Sequence, residues 1–416
     1  MGKVSFGELV NSAAGAASLH ELEFIDPAKE LSFADIVCPE GCDSIQESDF
    51  VKHFLSKQYL HIPSGDSTRF EYLFSWRTIN ELLALNLLDR LRLRVTRDGR
   101  DVPPVLYREE STSKDRDNVV ASKLHELIDQ NASLVLNGVH HLSPPIRRLV
   151  HEMERTLNQK VAVNGYATFG GGGAFAMHYD PHDVLVMQVY GTKHWFLYEN
   201  PEINPTDTEK LKAGKASPRE VAFETVLKPG EALYVPRGVY HRACVTDEDS
   251  VHLTFGIHTI KVVDFIDWVR SKMQDDPLLR EDMITLRGPD AIAEQERVAK
   301  ERICEILAGA SMSEYLEKWE RNRKPSNQFR LGPTEEIDDH SVLAPLLRYP
   351  TAWRRSVEKK GQEPSPEIER VLDYLLKERM VTFARMKADL SDVLDEDSLK
   401  STLAQLVDDC WIEIVR

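Results

Sequence analysis

The sequence predicts an α+β protein of several domains around a β-rich centre, and three observations carry that prediction. The 416 residues correspond to two or three domains at about 150 residues each. Between residues 160 and 260, short β-branched or aromatic runs alternate with Gly and Pro turns, which is typical of a β-sandwich or a β-barrel. After Thr259 the strand pattern stops, and apolar residues recur at helical spacing.

The residues before the β-rich centre predict a leader and then a mixed α and β segment. Residues 1–30 are rich in Ala, Ser and Gly, so we expect a loosely ordered leader there. From residue 31 to about residue 149, predicted helices at 47–57 and 78–88 alternate with short apolar segments. We expect this segment and the β-rich centre to form one domain over residues 31–260.

The residues after the centre predict two further units. Residues 261–335 form a predicted helical region, and because two-fold pairing is a common fate of such segments, we expect a homodimer. The alternative is that these helices pack only on the barrel. A polar stretch with Pro and Gly, residues 321–340, is the best candidate for a linker. In residues 340–416, three helical patterns precede the strand-like WIEIV, which is the order of a winged helix.

Composition and charge exclude several classes of function. The formal net charge of −16 repels phosphate backbones and anionic bilayers, so neither direct nucleic-acid binding nor membrane binding is expected. The predicted winged helix is acidic too: residues 358–416 hold nine Lys or Arg against fourteen Asp or Glu. We therefore expect that unit to contact protein or to pack within the molecule. Residues 170–173 (GGGG) lack the Lys-Ser/Thr of a phosphate loop and are interpreted as a turn.

The cysteines and the apolar pattern predict a cytoplasmic protein. No apolar run approaches the roughly 18 residues of a membrane span, and the amino terminus lacks a secretion signal. Cys38 and Cys42 have the spacing of a ligand pair in some zinc sites, but no second Cys or His pair that would complete the four ligands lies nearby in the sequence. The cysteines are too few and too scattered for a disulfide framework, which favours a reducing compartment. The five cysteines lie at positions 38, 42, 244, 304 and 410.

Three residues predict a metal centre. In a strand, residues two apart project to the same face, so the imidazole of His178 and the carboxylate of Asp180 are expected to converge. His241, delivered by a Pro-Arg-Gly turn in YVPRGVYHRACV, is the best candidate for a third ligand. Two imidazoles and one carboxylate on one face of an ion are the ligand set of Fe(II) oxygenases, and the opposite face stays open for co-substrates. Zinc binds the same donors, and an isolated His-x-Asp is common by chance, so ligand type alone does not prove the metal.

The context of these residues resembles a known family. HYDPHDVLVMQVYGTKHWFLY, KPGEALYVPRGVYHRA and SVHLTFGI are similar to the JmjC-type 2-oxoglutarate-dependent oxygenases, and most similar to their ribosomal oxygenase branch. The resemblance implies a double-stranded β-helix (cupin) catalytic domain, a helical dimerisation region and a carboxy-terminal winged helix. It also implies that His178, Asp180 and His241 bind Fe(II), with 2-oxoglutarate and O₂ as co-substrates.

The resemblance further implies three residues that bind the co-substrate. Lys193 matches the basic residue that binds the distal carboxylate of 2-oxoglutarate, and a carboxylate inside an apolar barrel needs such a cation. The alternative for Lys193 is a solvated lysine of a polar turn. Asn164 and Thr254 resemble positions that contact or border the co-substrate, and their alternative is a polar group satisfied within the core. His194 departs from the Arg or Lys that the branch carries at that position.

These residues support an Fe(II)- and 2-oxoglutarate-dependent hydroxylase as the leading hypothesis. From the branch, we expect a protein side chain as substrate, an Arg or a His of a ribosomal protein, which an acidic enzyme surface attracts. One alternative keeps the chemistry and changes the substrate to a peptide natural product or another small molecule. An alternative of a different class is a non-catalytic cupin scaffold that binds proteins. Histone demethylation is disfavoured, because no zinc-finger or reader motif accompanies the barrel.

Overall fold

The computed structural model describes most of the chain from residue 32 onward. The predicted leader, the Cys38 and Cys42 pair, residues 171–173 and most of the predicted linker lie outside the described residues. The described residues are 32–37, 50–97, 99–109, 118–170, 176–206, 219–245, 249–283, 286, 288–322, 336–345, 353–354, 357–358, 361, 363, 365–378, 380–409 and 411–415.

Two antiparallel sheets face each other in the centre of the molecule, as the short strands predict. The larger sheet has the order β1-β11-β8-β13-β7-β6-β2-β3, and the smaller has the order β10-β9-β12. The strands of the two sheets and of a separate hairpin are β1 Leu60–Ile62, β2 Leu93–Arg97, β3 Arg100–Asp101, β4 Arg108–Glu109, β5 Asn118–Val119, β6 Ser133–Leu136, β7 Lys160–Thr168, β8 Asp183–Tyr190, β9 Lys193–Tyr198, β10 Val221–Leu227, β11 Ala232–Val235, β12 His241–Val245 and β13 Ser250–His258.

The period-two burial of these strands defines an interior between the sheets. Along β9, residues 193, 195 and 197 are buried, whereas the alternate residues 194, 196 and 198 are half-buried on the outer face. Apolar side chains of β8, β9, β10 and β11 join in one cluster, which includes Val186, Trp195 and Leu233. Residues 162, 164 and 166 of β7 are half-buried, so this part of the interior is open enough to admit a ligand.

Helices cover the outer face of the larger sheet with an extensive apolar core. Phe33, Phe74, Ile146 and Met153 belong to this core, together with residues of β7, β8 and β13. The helix predicted at 78–88 runs instead from 76 to 84. Ser75 caps its start, and Asn86 adopts a left-handed backbone conformation (φ 52°) after its end. Only a π-helical turn, Phe50–Phe54, is described within the helix predicted at 47–57. The helices of this region are α1 Phe33–Val37, α2 Trp76–Ala84, α3 Ala121–Ile128 and α4 Pro144–Leu157.

A helical region follows β13, as the apolar spacing predicts. It contains α5 Val262–Gln274, α6 Pro289–Gly309 and α7 Met312–Asn322, which pack around the small cluster of Phe265, Trp268 and Val269. Several large apolar side chains of this region remain exposed, with Met283 at 75% and Leu286 at 97%. None of the helices in the described part of the chain combines the length and the apolarity that crossing a bilayer requires.

The carboxy-terminal unit has a core of its own, in which Leu343, Phe383 and Leu403 are buried. The three helices and the final strand lie where the sequence pattern places them, whereas two short strands were not predicted. The winged-helix assignment itself stays a prediction. The unit contains β14 Val342–Pro345, α8 Pro366–Glu378, β15 Val381–Thr382, α9 Phe383–Asp389, α10 Glu396–Asp408 and β16 Ile412–Val415, with the sheet order β15-β14-β16.

Candidate metal centre

Two backbone segments bring the three predicted ligands together. His178 and His241 form an isolated antiparallel bridge, in which each backbone N–H donates to the other residue's carbonyl at 3.0 and 2.7 Å. The expectation that residues 178–180 belong to a strand is wrong beyond this one bridge, since β8 begins only at Asp183. Pro181 has no N–H to donate, which ends regular pairing at this point. The carbonyl of Asp180 instead accepts from Gly238 N at 2.9 Å.

The side chains of the triad converge as a metal site requires. One ligand atom from each of His178, Asp180 and His241 lies within 4.8 Å of the others, and among the described residues no other group of three potential ligands does so. His241 Nε2 lies 3.6 Å from Asp180 Oδ2. Nδ1 of His178 lies 2.9 Å from the carbonyl of Ala176, and Nδ1 of His241 lies 3.0 Å from that of Val239. A ring nitrogen that meets a carbonyl must carry the proton, so Nε2 of each ring presents a lone pair to a metal.

The electrostatics of the triad favour binding of a cation. Burial, reinforced by the nearby His178 and opposed by Asp180, lowers the pKa of His241 to about 4. His241 is therefore a neutral imidazole at neutral pH, which is the form that binds metals. Asp180 contributes the anionic donor.

Lys193 lies in the interior at the start of β9, on the same face as Trp195 and Leu197. It is 2% exposed, so the alternative of a solvated turn lysine is wrong. Its Nζ donates to Thr168 Oγ1 at 3.1 Å and lies 3.3 Å from His252 Nδ1. Burial lowers the pKa of Lys193 to about 7. Burial and the Lys193 charge hold the pKa of His252 well below its usual value, so this ring is a neutral neighbour.

Trp195 lies between the triad and Lys193. Its ring centroid is 6.0 Å from that of His241 and 6.0 Å from that of His252. Its buried Nε1–H has no hydrogen-bond partner among the described residues. A buried donor of this kind, beside a lysine whose contacts are neutral, fits an anionic molecule that reaches from Lys193 toward the triad. The residues present therefore fit both a divalent metal and a carboxylate-bearing co-substrate.

Asn164 and Thr254 lie directly opposite each other on β7 and β13. Both are half-buried, and Asn164 Oδ1 accepts from Gly138 N at 3.0 Å. Asn164 thus has a structural contact as well as a position on the interior face, and both co-substrate roles stay predictions. Tyr166, the next inward residue of β7, stacks on His252 at 4.7 Å between ring centroids.

Sequence reasoning missed several residues of the interior, although the alternation of strands could have found two of them. Trp195 is two residues beyond Lys193 on β9, and Tyr166 is two beyond Asn164 on β7, so each shares the face of a predicted site residue. His182 and His258 stack with 4.4 Å between their ring centroids, over Gly256. A Cβ on Gly256 would lie 2.9 Å from the His182 ring, which explains the glycine.

Two facing antiparallel sheets whose interior holds two histidines, a carboxylate and a buried lysine define a metal-binding double-stranded β-helix of the cupin class. Residues 139–265 match the JmjC domain family. The barrel and JmjC parts of the sequence prediction are therefore confirmed.

Solved structures agree on the fold. The structure of YcfD, a ribosomal oxygenase from Escherichia coli, is similar with a TM-score of 0.51 at 16% identity, covering 90% of this chain and 99% of YcfD. A second structure of YcfD, in complex with cobalt and succinic acid, has a TM-score of 0.50 at 16% identity, with coverage of 90% and 99%.

Curated relatives carry the name bifunctional lysine-specific demethylase and histidyl-hydroxylase NO66. The protein from Drosophila willistoni is 27% identical over 232 residues, which is 51% of this chain and 28% of the relative. The protein from Culex quinquefasciatus is 27% identical over 272 residues, which is 60% of this chain and 37% of the relative. The chain thus spans about a third of the length of these relatives.

Proposed function

We propose that the protein is an Fe(II)- and 2-oxoglutarate-dependent hydroxylase. The observation that carries this proposal is the pairing of two features in one barrel interior. A His-Asp-His triad has its ligand atoms within 4.8 Å of one another, and a buried lysine has no ion pair among the residues that the structure describes. Each feature lowers the stability of the folded state unless a ligand binds to it, because buried charges and buried donors lose their hydration.

In this proposal each residue has a defined task. His178, Asp180 and His241 hold the metal, and Lys193 binds the distal carboxylate of 2-oxoglutarate. When bound, Fe(II) supplies the activation of O₂ that is coupled to decarboxylation of 2-oxoglutarate and to hydroxylation of the substrate. Trp195 donates its unpaired N–H to the co-substrate and excludes water between the two ends. The structure of YcfD in complex with cobalt and succinic acid supports the assignment of metal and co-substrate, because succinate is the product formed from 2-oxoglutarate.

We propose a protein side chain as the substrate, an Arg or a His of a ribosomal protein. YcfD is a ribosomal oxygenase, and the name of the NO66 relatives gives histidyl-hydroxylase beside lysine-specific demethylase. The net charge of −16 supports a basic partner, because complementary charge accelerates encounter and disfavours acidic competitors.

The decisive experiment measures succinate release by the purified protein with Fe(II), 2-oxoglutarate and a tryptic digest of ribosomal proteins. We expect release that His178→Ala abolishes and that is accompanied by a mass increase of one oxygen on an Arg or His peptide. His194→Ala is the matched control, because His194 lies on the outer face of β9 and pairs with Glu224 at 2.7 Å. Succinate release without an altered ribosomal peptide would favour a peptide natural product or a small molecule. Metal binding without succinate release would favour the non-catalytic scaffold.

We also propose that the helical region forms a homodimer. A groove of about 1170 Å³ between α5 and α6 is lined by Met273, Leu278, Met283, Ile292 and Ile303, among others. An exposed apolar surface of this kind is typical of an interface. Analytical ultracentrifugation should give a dimer for the wild type and a monomer for the double variant Met283→Glu, Leu286→Glu. A wild-type monomer at micromolar concentration would contradict the proposal.

For the carboxy-terminal unit, we propose a winged helix that contacts protein and not DNA. Three helices with a three-stranded sheet support the fold, and the net charge of −5 over residues 358–416 supports the choice of partner. A mobility-shift assay with duplex DNA at low salt should show no complex.

A further inference from the structure

Asp183, the first residue of β8, is a fully buried carboxylate that accepts hydrogen bonds from three residues on two other segments of the chain. Its Oδ1 accepts from Arg237 N at 2.9 Å. Its Oδ2 accepts from Tyr234 Oη at 2.6 Å, and from both N and Oγ of Ser56 at 3.0 and 2.7 Å. A carboxylate away from water is tolerated when donors replace its hydration, and here four donors do so.

The bond to Arg237 joins the two segments that carry the triad. Residues 178–183 carry two of the ligands, and residues 236–241 carry the third. Three backbone bonds link these segments: two between His178 and His241, and one from Gly238 N to the carbonyl of Asp180. The fourth link, from Arg237 N, ends on the Asp183 side chain. Unlike the backbone bonds, this link can be removed by a single substitution.

The bonds to Ser56 tie a third segment to the same point. Ser56 has a φ of 56°, in the left-handed region that non-glycine residues rarely adopt, and it keeps this conformation while its N–H faces both Asp183 and Tyr234 Oη. The rings of Phe50 and Tyr234 pack in a T-shaped arrangement, with centroids 4.9 Å apart. The amino-terminal segment is thereby held against the ligand-bearing segments through one carboxylate.

We propose that Asp183 is a positioning residue of the metal centre, which holds the segment of His178 and Asp180 at a fixed distance from the segment of His241. The inference rests on the proposed metal site. Three protein ligands on two separate segments bind an ion tightly only if the segments are already in place, because otherwise binding must also order them. Asp183 touches no metal and acts through the two segments.

The test measures Co(II) binding to the metal-free protein, by calorimetry and by the visible absorption of the bound ion. Asp183→Asn replaces one accepting oxygen by an NH₂ group, which keeps most hydrogen bonds when it faces the single donor of Arg237 and leaves the oxygen to Ser56 and Tyr234. The link to Arg237 is then lost, and we expect the Kd for Co(II) to rise at least about tenfold, the lower end of the range for residues that support metal ligands. The visible bands should shift as well, since the ligand geometry is loosened. Tyr234→Phe removes one donor and keeps the ring, so its Kd should rise about threefold, the worth of one hydrogen bond.

Glu152→Gln is the matched control. Glu152 is also a buried acid, but its Oε2 accepts from Phe33 N at 2.5 Å and so holds α1 instead of a ligand-bearing segment. Its Kd for Co(II) should equal that of the wild type even if its melting temperature falls.

The outcomes separate this inference from the proposed function. A wild type that takes up no Co(II) overturns the metal site itself. If the wild type binds Co(II) and Asp183→Asn has the same Kd and the same visible spectrum, the positioning role is overturned while the metal site is retained. A lowered melting temperature of Asp183→Asn would not by itself support the role. If Asp183→Asn does not fold, the Kd of Tyr234→Phe for Co(II) is the deciding measurement. A Kd equal to that of the wild type overturns the inference.

Discussion

The interior of the barrel has two ends, and they hold polar groups of opposite kinds. At one end, two imidazoles and a carboxylate converge, and two of the three side chains are half-buried. At the other end, Lys193 is buried, and the contacts described for its Nζ are to the neutral groups Thr168 and His252. The first end attracts a cation, and the second attracts an anion. A molecule with a chelating group and a distal carboxylate matches both ends at once, as 2-oxoglutarate does.

The two ends are also held in place differently. Backbone hydrogen bonds between the loop of His178 and the first residue of β12, His241, position the triad. Regular strand pairing positions Lys193, which lies opposite Leu227 and Val245 on the two neighbouring strands. The triad end therefore depends on local loop geometry, and the lysine end depends on the barrel as a whole. Substitutions at the two ends should separate metal binding from co-substrate binding.

The largest effect is expected at the triad. Asp180→Ala removes the anionic donor and leaves two imidazoles, so the affinity for Fe(II) or Mn(II) should fall at least about a hundredfold, since loss of a ligand exceeds the 10- to 100-fold loss seen for supporting residues. Calorimetry under anaerobic conditions measures this metal affinity. Thermal unfolding of the metal-free variant should stay close to that of the wild type, because the Asp180 side chain is half-buried and the contact described for it is with another ligand, His241. Retained metal affinity would show that the cation binds elsewhere than at the triad, and the assignment of this end as the cation site would be wrong.

The next effect is expected at the other end. Lys193→Met keeps much of the length of the side chain and removes its charge, so the KM for 2-oxoglutarate should rise about a hundredfold, as for truncation of one partner of a buried charge pair. The affinity for Mn(II) without 2-oxoglutarate should stay within about twofold, because Lys193 does not belong to the triad. Loss of metal affinity in this variant would show that the two ends are not separable.

The triad could be predicted from the sequence because its ligand types and spacing are themselves the signal. His178 and Asp180 were placed together for a partly wrong reason, since the two residues lie in a loop after one bridge pair and not in a strand. Sequence reasoning could not find Asp183, because its partners at positions 56, 234 and 237 come together only through the fold. The burial of Lys193 was expected from the family resemblance, whereas the pattern of GTKH alone is compatible with a polar turn as well as with the start of an inward-facing strand.

The pH dependence of co-substrate binding distinguishes the lysine end from the triad end. Burial lowers the pKa of Lys193 to about 7, so the empty pocket loses its charge as the pH rises above 7. A bound dianion favours the protonated lysine, and binding above pH 7 must then take up a proton. The affinity for 2-oxoglutarate should therefore fall by up to about tenfold per pH unit between pH 7 and 9.

Calorimetry of 2-oxoglutarate binding to the Mn(II)-loaded protein, in buffers of different ionisation enthalpy, counts the protons directly. We expect an uptake of about one proton at pH 8 for the wild type. Lys193→Arg is the control, because a guanidinium stays charged across this range and should give an uptake near zero. Equal uptake by the two proteins would assign the titration to another group.

The smallest effect is expected midway between the ends. Thr254 lies opposite Asn164 on β7 and opposite Val186 on β8, on the interior face of β13. Thr254→Val keeps the shape and removes the hydroxyl, so the KM for 2-oxoglutarate should rise about threefold to tenfold, the worth of one neutral hydrogen bond, while metal affinity is unchanged. Thr96→Val, a buried threonine on β2, is the matched control and should leave KM unaltered. An unchanged KM for Thr254→Val would make Thr254 a packing residue, and the interior would then recognise the co-substrate at its two ends and not along the strands that join them.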